Sequence, residues 1–185
     1  CPAVRDDLIR HAKLNNIPVI SIDHYIEGCY NINYDYKTAL EKILCHLIED
    51  HHYTCINFIA GIKGNAYSDE RIDIYKKVLK EHNIPIEEER IGYGGFWSIP
   101  TKKVIKDFIN SELPMPQAIA CANDTMAITA YNSLINAGYD LPQEIAITGF
   151  DGLIQAIEHY PAITTAQHDY ENAVIKAFDI LNDIF

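Results

Sequence analysis

Two hydrophobic rhythms alternate along this chain, and that alternation limits its fold more than any other feature. Short apolar runs of strand length are separated by segments in which apolar residues recur every three or four positions. Such a chain folds as an α/β layer structure with parallel strands, because each strand returns through a helix before the next begins. Residues 4–15 read as a helix with Val4, Leu8 and Ala12 on one face. Residues 17–23 form a short buried strand ending in a polar residue, followed by a loop with Gly28. Residues 35–50 are predicted helical, because Tyr36, Leu40, Ile43, Leu44, Leu47 and Ile48 share one face, with Asp35 as the capping candidate. Residues 55–61 are a strand running into a turn. Residues 68–82 are a helix with Ile72, Tyr75, Val78 and Leu79 inward, Ser68 as its cap and Asn83-Ile84-Pro85 as its stop.

The second half repeats the pattern. A strand near residues 90–93 ends in Gly94-Gly95, and a helix over 101–112 runs through Val104, Ile105, Phe108 and Ile109. Residues 118–122 are all apolar, as in a strand covered on both faces. A helix over 124–137 stops at Gly138, the residue that best takes a left-handed turn. Residues 145–149 are another strand and 163–167 are extended. A last helix over 169–184 places Val174, Phe178 and Leu181 on one face. There is no repeat, low-complexity tract or Ser/Gly linker.

Composition narrows the function. Among 185 residues, 15 Lys and Arg stand against 26 Asp and Glu, a net charge of −11. With no basic cluster, the chain is unsuited to gripping nucleic acid by itself. No apolar run approaches the roughly 20 residues of a membrane helix, and no secretory leader is visible. The five cysteines, Cys1, Cys29, Cys45, Cys55 and Cys121, are odd in number and widely spaced. Without a Cys-x-x-Cys pair they read as reduced, structural thiols of a cytoplasmic protein. The first residue is Cys rather than Met, so a fragment or processed chain is expected.

In open α/β sheets, ligands bind beyond the carboxyl ends of the strands. The residues there are Asp23 and His24; Gly61 to Gly64; Gly94, Gly95, Phe96 and Trp97; Asn123 and Asp124; and Phe150 and Asp151. Carboxylates accept hydroxyl protons, Asn both donates and accepts, and an aromatic ring covers the CH face of a sugar, so this set suits a neutral polyhydroxyl ligand. Enzymatic readings are weaker. There is no phosphate loop, since Gly61-Ile62-Lys63-Gly64 is too short, and no Gly-x-Ser-x-Gly elbow or dinucleotide fingerprint. His46, His51 and His52 cluster in sequence, but 46 and 51 miss the i, i+4 spacing of a helical zinc pair and read as a solvated helix end. No metal, cofactor or catalytic residue is expected. Blander readings stay open at this level. Arg71 suits a surface ion pair with Asp69 or Glu70, Phe96-Trp97 a place in the core, Asn123-Asp124 a turn and cap, and Asp151 a cap of the segment after it.

Several motifs, in one collinear order, resemble the effector-binding domain of the LacI/GalR family of bacterial transcriptional regulators. They are Cys121-Ala122-Asn123-Asp124-Thr125-Met126-Ala127, Ala137-Gly138-Tyr139-Asp140-Leu141-Pro142 and Ile147-Thr148-Gly149-Phe150-Asp151. Ile22-Asp23, Asp35 at a helix start, Leu47-Ile48, Ser68 with Arg71, and Pro161-Ala162-Ile163-Thr164-Thr165-Ala166-Gln167 agree with them. Departures are Gly152 where the family has a second Asp, Ile74 for Gly, Tyr36 for Asn, and a turn one residue longer at Asp50-His51-His52-Tyr53.

The resemblance implies a periplasmic-binding-protein-like (type I) fold, a Rossmann-like parallel sheet with helices on both faces. It implies two lobes joined by crossovers, with effector in the cleft. Residues 1–24 and 168–185 would be pieces of a truncated N-terminal lobe, and 30–166 nearly all of the C-terminal lobe, with the DNA-binding headpiece absent. The effector contacts it implies are Asp23, Arg71, Phe96, Trp97, Asn123 and Asp151. The implied partners are a small, carbohydrate-like effector, DNA only through the missing headpiece, and a second copy in a homodimer, with no membrane. The implied function is ligand sensing coupled to DNA binding in the cytoplasm. The same sensor fold also serves signalling enzymes, such as diguanylate cyclases, and extracytoplasmic sugar-binding proteins.

Overall fold

The computed structural model describes residues 2–23 and 25–184, with side chains from residue 6 onward. Cys1, the side chain of Val4 and His24 lie outside the described residues. The chain divides into two compact units, one made of residues 1–35 with 168–185 and the other of residues 36–167.

The larger unit is built on a four-stranded parallel sheet. Its strands are β3 (Ile56–Ala60), β4 (Ile91–Tyr93), β5 (Ala118–Cys121) and β6 (Ala146–Thr148), in spatial order β4-β3-β5-β6. The register pairs Phe58 with Ile91 on one side and with Ala120 on the other. Every residue of β3 and β5 is buried. Helix α2 (Tyr36–Cys45) packs on α3 (Ala66–Glu81), and α4 (Ser98–Ile109) packs on α5 (Asp124–Asn136). Both faces are therefore covered, which is why these strands are continuously apolar rather than alternating. Tyr75, from α3, stacks on Phe58 with 5.1 Å between ring centroids and donates its hydroxyl to the Ile56 carbonyl at 2.7 Å. Beyond β6, the short helix α6 (Ile154–Ile157) leads to a segment that bridges β6 at Thr164.

The order of the strands decides where a ligand can settle. The chain runs from β3 outward to β4, then returns to the other side of β3 for β5. The connections therefore diverge between β3 and β5, the point at which open sheets of this kind bind their ligands.

The smaller unit holds α1 (Pro2–Leu14), β1 (Ile20–Ile22), β2 (Tyr30–Ile32) and α7 (Tyr170–Ile184). Strands β1 and β2 pair in parallel. The intervening loop is pinned by Asn31, whose side chain accepts from the Ile26 N–H and donates to the Ile26 and Cys29 carbonyls. The sequence pattern shows only a loop there, since three residues are too few to display a strand period. Ala173 is the buried residue of α7, whereas Val174 and Phe178 are 49% and 62% exposed. The apolar face read from the sequence exists, but two short strands do not cover it.

Two helix caps differ from the sequence reading, and α4 begins at Ser98 rather than at 101. Helix α3 begins at Ala66, and its cap is Asn65, whose side-chain oxygen accepts from the N–H groups of Tyr67 and Ser68. Ser68 lies inside the first turn, fully buried. Helix α5 is capped by Asn123 through the Met126 N–H, so Asp124 is not the cap.

Candidate functional site

The carboxyl ends of β3, β5 and β6, with the turn after β4, assemble one group of side chains around Arg71. Arg71 projects from the second turn of α3, and its side chain is 11% exposed. Its guanidinium donates to the carbonyl of Ala122, the residue that follows β5. A side chain rooted after β3 thus reaches across to the end of β5, spanning the point where the connections diverge. The Asp151 carboxylate, just beyond β6, stands 4.0 Å from the guanidinium. Aromatic rings line the cation: Phe150 at 4.7 Å, Tyr36 at 5.8 Å and Phe96 at 6.0 Å from their centroids. A guanidinium held on aromatic faces with a carboxylate beside it keeps its fork in one plane, suited to gripping vicinal hydroxyls or a carboxylate.

Asn123 joins the group through β5. Its oxygen caps α5, and its amide nitrogen donates to the Phe96 carbonyl at 3.3 Å, tying the ends of β4 and β5 together. Phe96 has a positive φ of 67°. Its ring rests on Gly61, where any Cβ would occupy the ring's own space. Gly61 is thus the strand-end glycine that seats the aromatic floor. Trp97 follows in extended backbone, and its side chain is 69% exposed.

Asp124 organises the group from beneath. It is fully buried, accepting from the Leu153 N–H at 2.6 Å and the Thr165 hydroxyl at 2.7 Å. Burial pushes its carboxyl above the usual range, and the bonds from Thr165 and Leu153 oppose that shift. Gly149 leaves room for this carboxylate, since a Cβ there would strike Asp124 Oδ1. Gly152 has a positive φ of 69° and packs on the Gln167 backbone, so a second Asp could not be placed there without strain.

Of the six residues expected to touch an effector, Arg71, Phe96, Asn123 and Asp151 come together at these strand ends. Trp97 is adjacent in sequence to Phe96, with its ring turned largely to solvent. Asp23 belongs to the smaller unit, exposed at the end of β1 with a positive φ of 59°. The surface ion-pair reading of Arg71 fails, because Glu70 is engaged instead by Lys37 and by the Tyr36 hydroxyl. Sequence reasoning misses Tyr36 and Phe150 as partners of Arg71. Phe150 is visible as a strand-end residue beside Asp151, whereas Tyr36 reads only as part of an apolar helix face. A separate hollow of about 560 Å³ in the smaller unit, lined by Asp6, Arg10, Lys13 and Tyr25 among others, contains none of these residues.

Among known proteins, residues 44–185 match the family described as periplasmic binding protein-like domain. The chain is 31% identical to the HTH-type transcriptional repressor PurR of Actinobacillus pleuropneumoniae serotype 3 over 136 residues, which cover 74% of this chain and 40% of that protein. It is 27% identical to the probable HTH-type transcriptional repressor ExuR of Bacillus subtilis over 182 residues, 97% of this chain and 54% of that one. Its fold is similar to a regulatory protein of LacI family from Chloroflexus aggregans, with a TM-score of 0.81 and 19% identity over 95% of this chain and 63% of that one. The chain thus spans about half the length of the repressors it matches.

Proposed function

This chain belongs to the family of periplasmic binding protein-like domains, and from that premise we propose that it is the effector-sensing part of a LacI/GalR-type transcriptional regulator. The effector is a small, carbohydrate-like metabolite. Arg71 grips it by two hydroxyls or a carboxylate, Asp151 accepts from a hydroxyl, and the free amide hydrogen of Asn123 donates to it. Phe96 and Trp97 cover its apolar face. The role of Asp23 rests on the sequence resemblance alone. Residues 36–167 take the part of the C-terminal lobe, and the smaller unit takes pieces of the N-terminal one. Binding shifts the regulator between DNA-competent and DNA-incompetent states, through a separate DNA-binding segment. The chain itself binds and does not turn over its ligand, acts in the cytoplasm, and pairs with a second copy through C-lobe helices.

What supports this reading most is the convergence of Arg71, Asn123 and Asp151 at the carboxyl ends of β3 and β5, where ligands of open α/β sheets settle. Titration calorimetry on the protein, with a panel of neutral sugars and sugar acids, tests it. One member is expected to bind. Arg71→Met and Asp151→Asn are expected to weaken it at least about tenfold, the scale of a lost charge-assisted hydrogen bond. Unchanged affinity in both variants would remove the assignment.

A further inference from the structure

We propose that Cys45, Glu49 and His82 form a binding site for a soft divalent transition metal such as zinc, joining the end of α2 to the end of α3. One ligand atom from each, the thiol sulfur, a carboxylate oxygen and an imidazole nitrogen, lies within 4.8 Å of the other two. Cys45 is the last residue of α2, Glu49 lies in the π-helical turn His46–Asp50 that follows it, and His82 is the C-cap of α3. The site is separate from the Arg71 group. His82 and Arg71 belong to the same helix but are eleven residues apart, roughly 16 Å along its axis.

The ring of His82 is prepared for a cation. Its Nδ1 stands 2.8 Å from the Val78 carbonyl, which only accepts, so Nδ1 carries the proton. That leaves the Nε2 lone pair directed at Glu49 Oε1, 2.9 Å away. Two lone pairs at that distance require something positive between them. Fixing one ring nitrogen by a carbonyl so that the other can ligate is the usual way proteins orient a metal-binding imidazole. Tetrahedral zinc, with bonds of about 2.0–2.3 Å, sets its ligand atoms about 3.3–3.8 Å apart, within the 4.8 Å that bounds these three atoms.

Without an ion, a second proton on His82 and the Cys45 thiol hydrogen bond both turn to Glu49; a divalent ion would take the place of those two protons at the same three groups. The surrounding charge favours the metal. Cys45 is partly buried, with Glu49 beside it and Glu41 and Glu81 nearby. Lys77 is the cation paired with Glu41 and Glu81. A divalent ion reverses that field for the sulfur, and the thiol proton leaves to solvent as the metal–sulfur bond forms. Thiolate with imidazole selects zinc-like ions over magnesium or calcium. The sequence conceals the site because its ligands are 4 and 33 residues apart on two helices.

Cobalt(II) is the direct probe, titrated into the 185-residue chain under a non-thiol reductant. One equivalent is expected to bind with a thiolate-to-cobalt charge-transfer band that zinc displaces. The band should vanish in Cys45→Ser and persist in Cys29→Ser and Cys55→Ser. Affinity should fall at least tenfold in His82→Gln and in Glu49→Gln, the latter at a solvent-exposed position where folding is not at stake. Circular dichroism checks each variant, and if Cys45→Ser is unfolded the other two decide. Absence of a saturable band, a band surviving in folded Cys45→Ser, or unchanged affinity in both Glu49→Gln and His82→Gln would overturn the proposal.

Discussion

Asp124 is a buried carboxylate whose two oxygens are spent on the Leu153 N–H and the Thr165 hydroxyl, so it stitches the start of α5 to the chain beyond β6. Removing it takes the acceptor from two part-buried donors. Asp124→Ala is therefore expected to destabilise the protein by about 2–4 kcal/mol, read from urea unfolding, since each orphaned group costs about 1–3 kcal/mol. The caps give a sharper contrast. Asn65→Ala should cost about 1 kcal/mol, because two N–H groups at the start of α3 lose their acceptor. Ser68→Ala should be neutral or stabilising by up to about 1 kcal/mol, since the Ser68 hydroxyl is buried without a hydrogen-bond partner. A capping loss in Ser68→Ala comparable to that in Asn65→Ala would contradict this assignment. The sequence places capping residues within a few positions of both helix starts. Which of Asn65 or Ser68, and of Asn123 or Asp124, turns its oxygen back onto the helix depends on the path of the incoming chain, and residue type alone does not encode that path.

At the scale of elements, the strands and helices of the larger unit are legible because burial on both sheet faces writes long apolar runs and strong helical stripes. The exception is the turn after α2. It is π-helical over His46–Asp50, with the His51 N–H reaching the His46 carbonyl. In a π-helical turn the i, i+5 spacing is the one in register. His46 and His51, which miss each other on α-helical spacing, therefore meet with their Nε2 atoms 3.2 Å apart, and Asp50 bonds to His46 Nδ1 at 2.6 Å. Helices α2 and α3 are also joined near the Arg71 group by Glu70, which Lys37 and Tyr36 engage. Those bonds hold the Glu70 carboxyl below its ordinary value of 4.5. The stability it contributes is thus present above that value and lost as pH falls through the depressed folded value. Glu70 is 35% exposed, so the contribution is small, roughly 0.5 kcal/mol. Glu70→Gln should lower the urea midpoint slightly at neutral pH and not at all in strong acid. An equal deficit at both extremes would show that Glu70 acts by packing instead.

For the whole molecule, the order β4-β3-β5-β6 brings a set of strand-end residues together. The sequence supplies the strand ends and, through motif resemblance, the residues. It does not show that Arg71 crosses from α3 to the Ala122 carbonyl, nor that Tyr36 and Phe150 face its guanidinium, because those contacts join segments far apart in the chain. Asp23 is legible as a strand end, but only resemblance ties it to the other contacts, as it belongs to the smaller unit. Amide hydrogen exchange on the regulator, with and without the metabolite that calorimetry identifies, tests the central assignment most directly. Slowed exchange is expected in residues 61–64, 94–97, 122–124 and 150–152, the four loops around Arg71. Protection confined to other segments, such as the hollow bounded by Asp6, Arg10 and Tyr25, would contradict it.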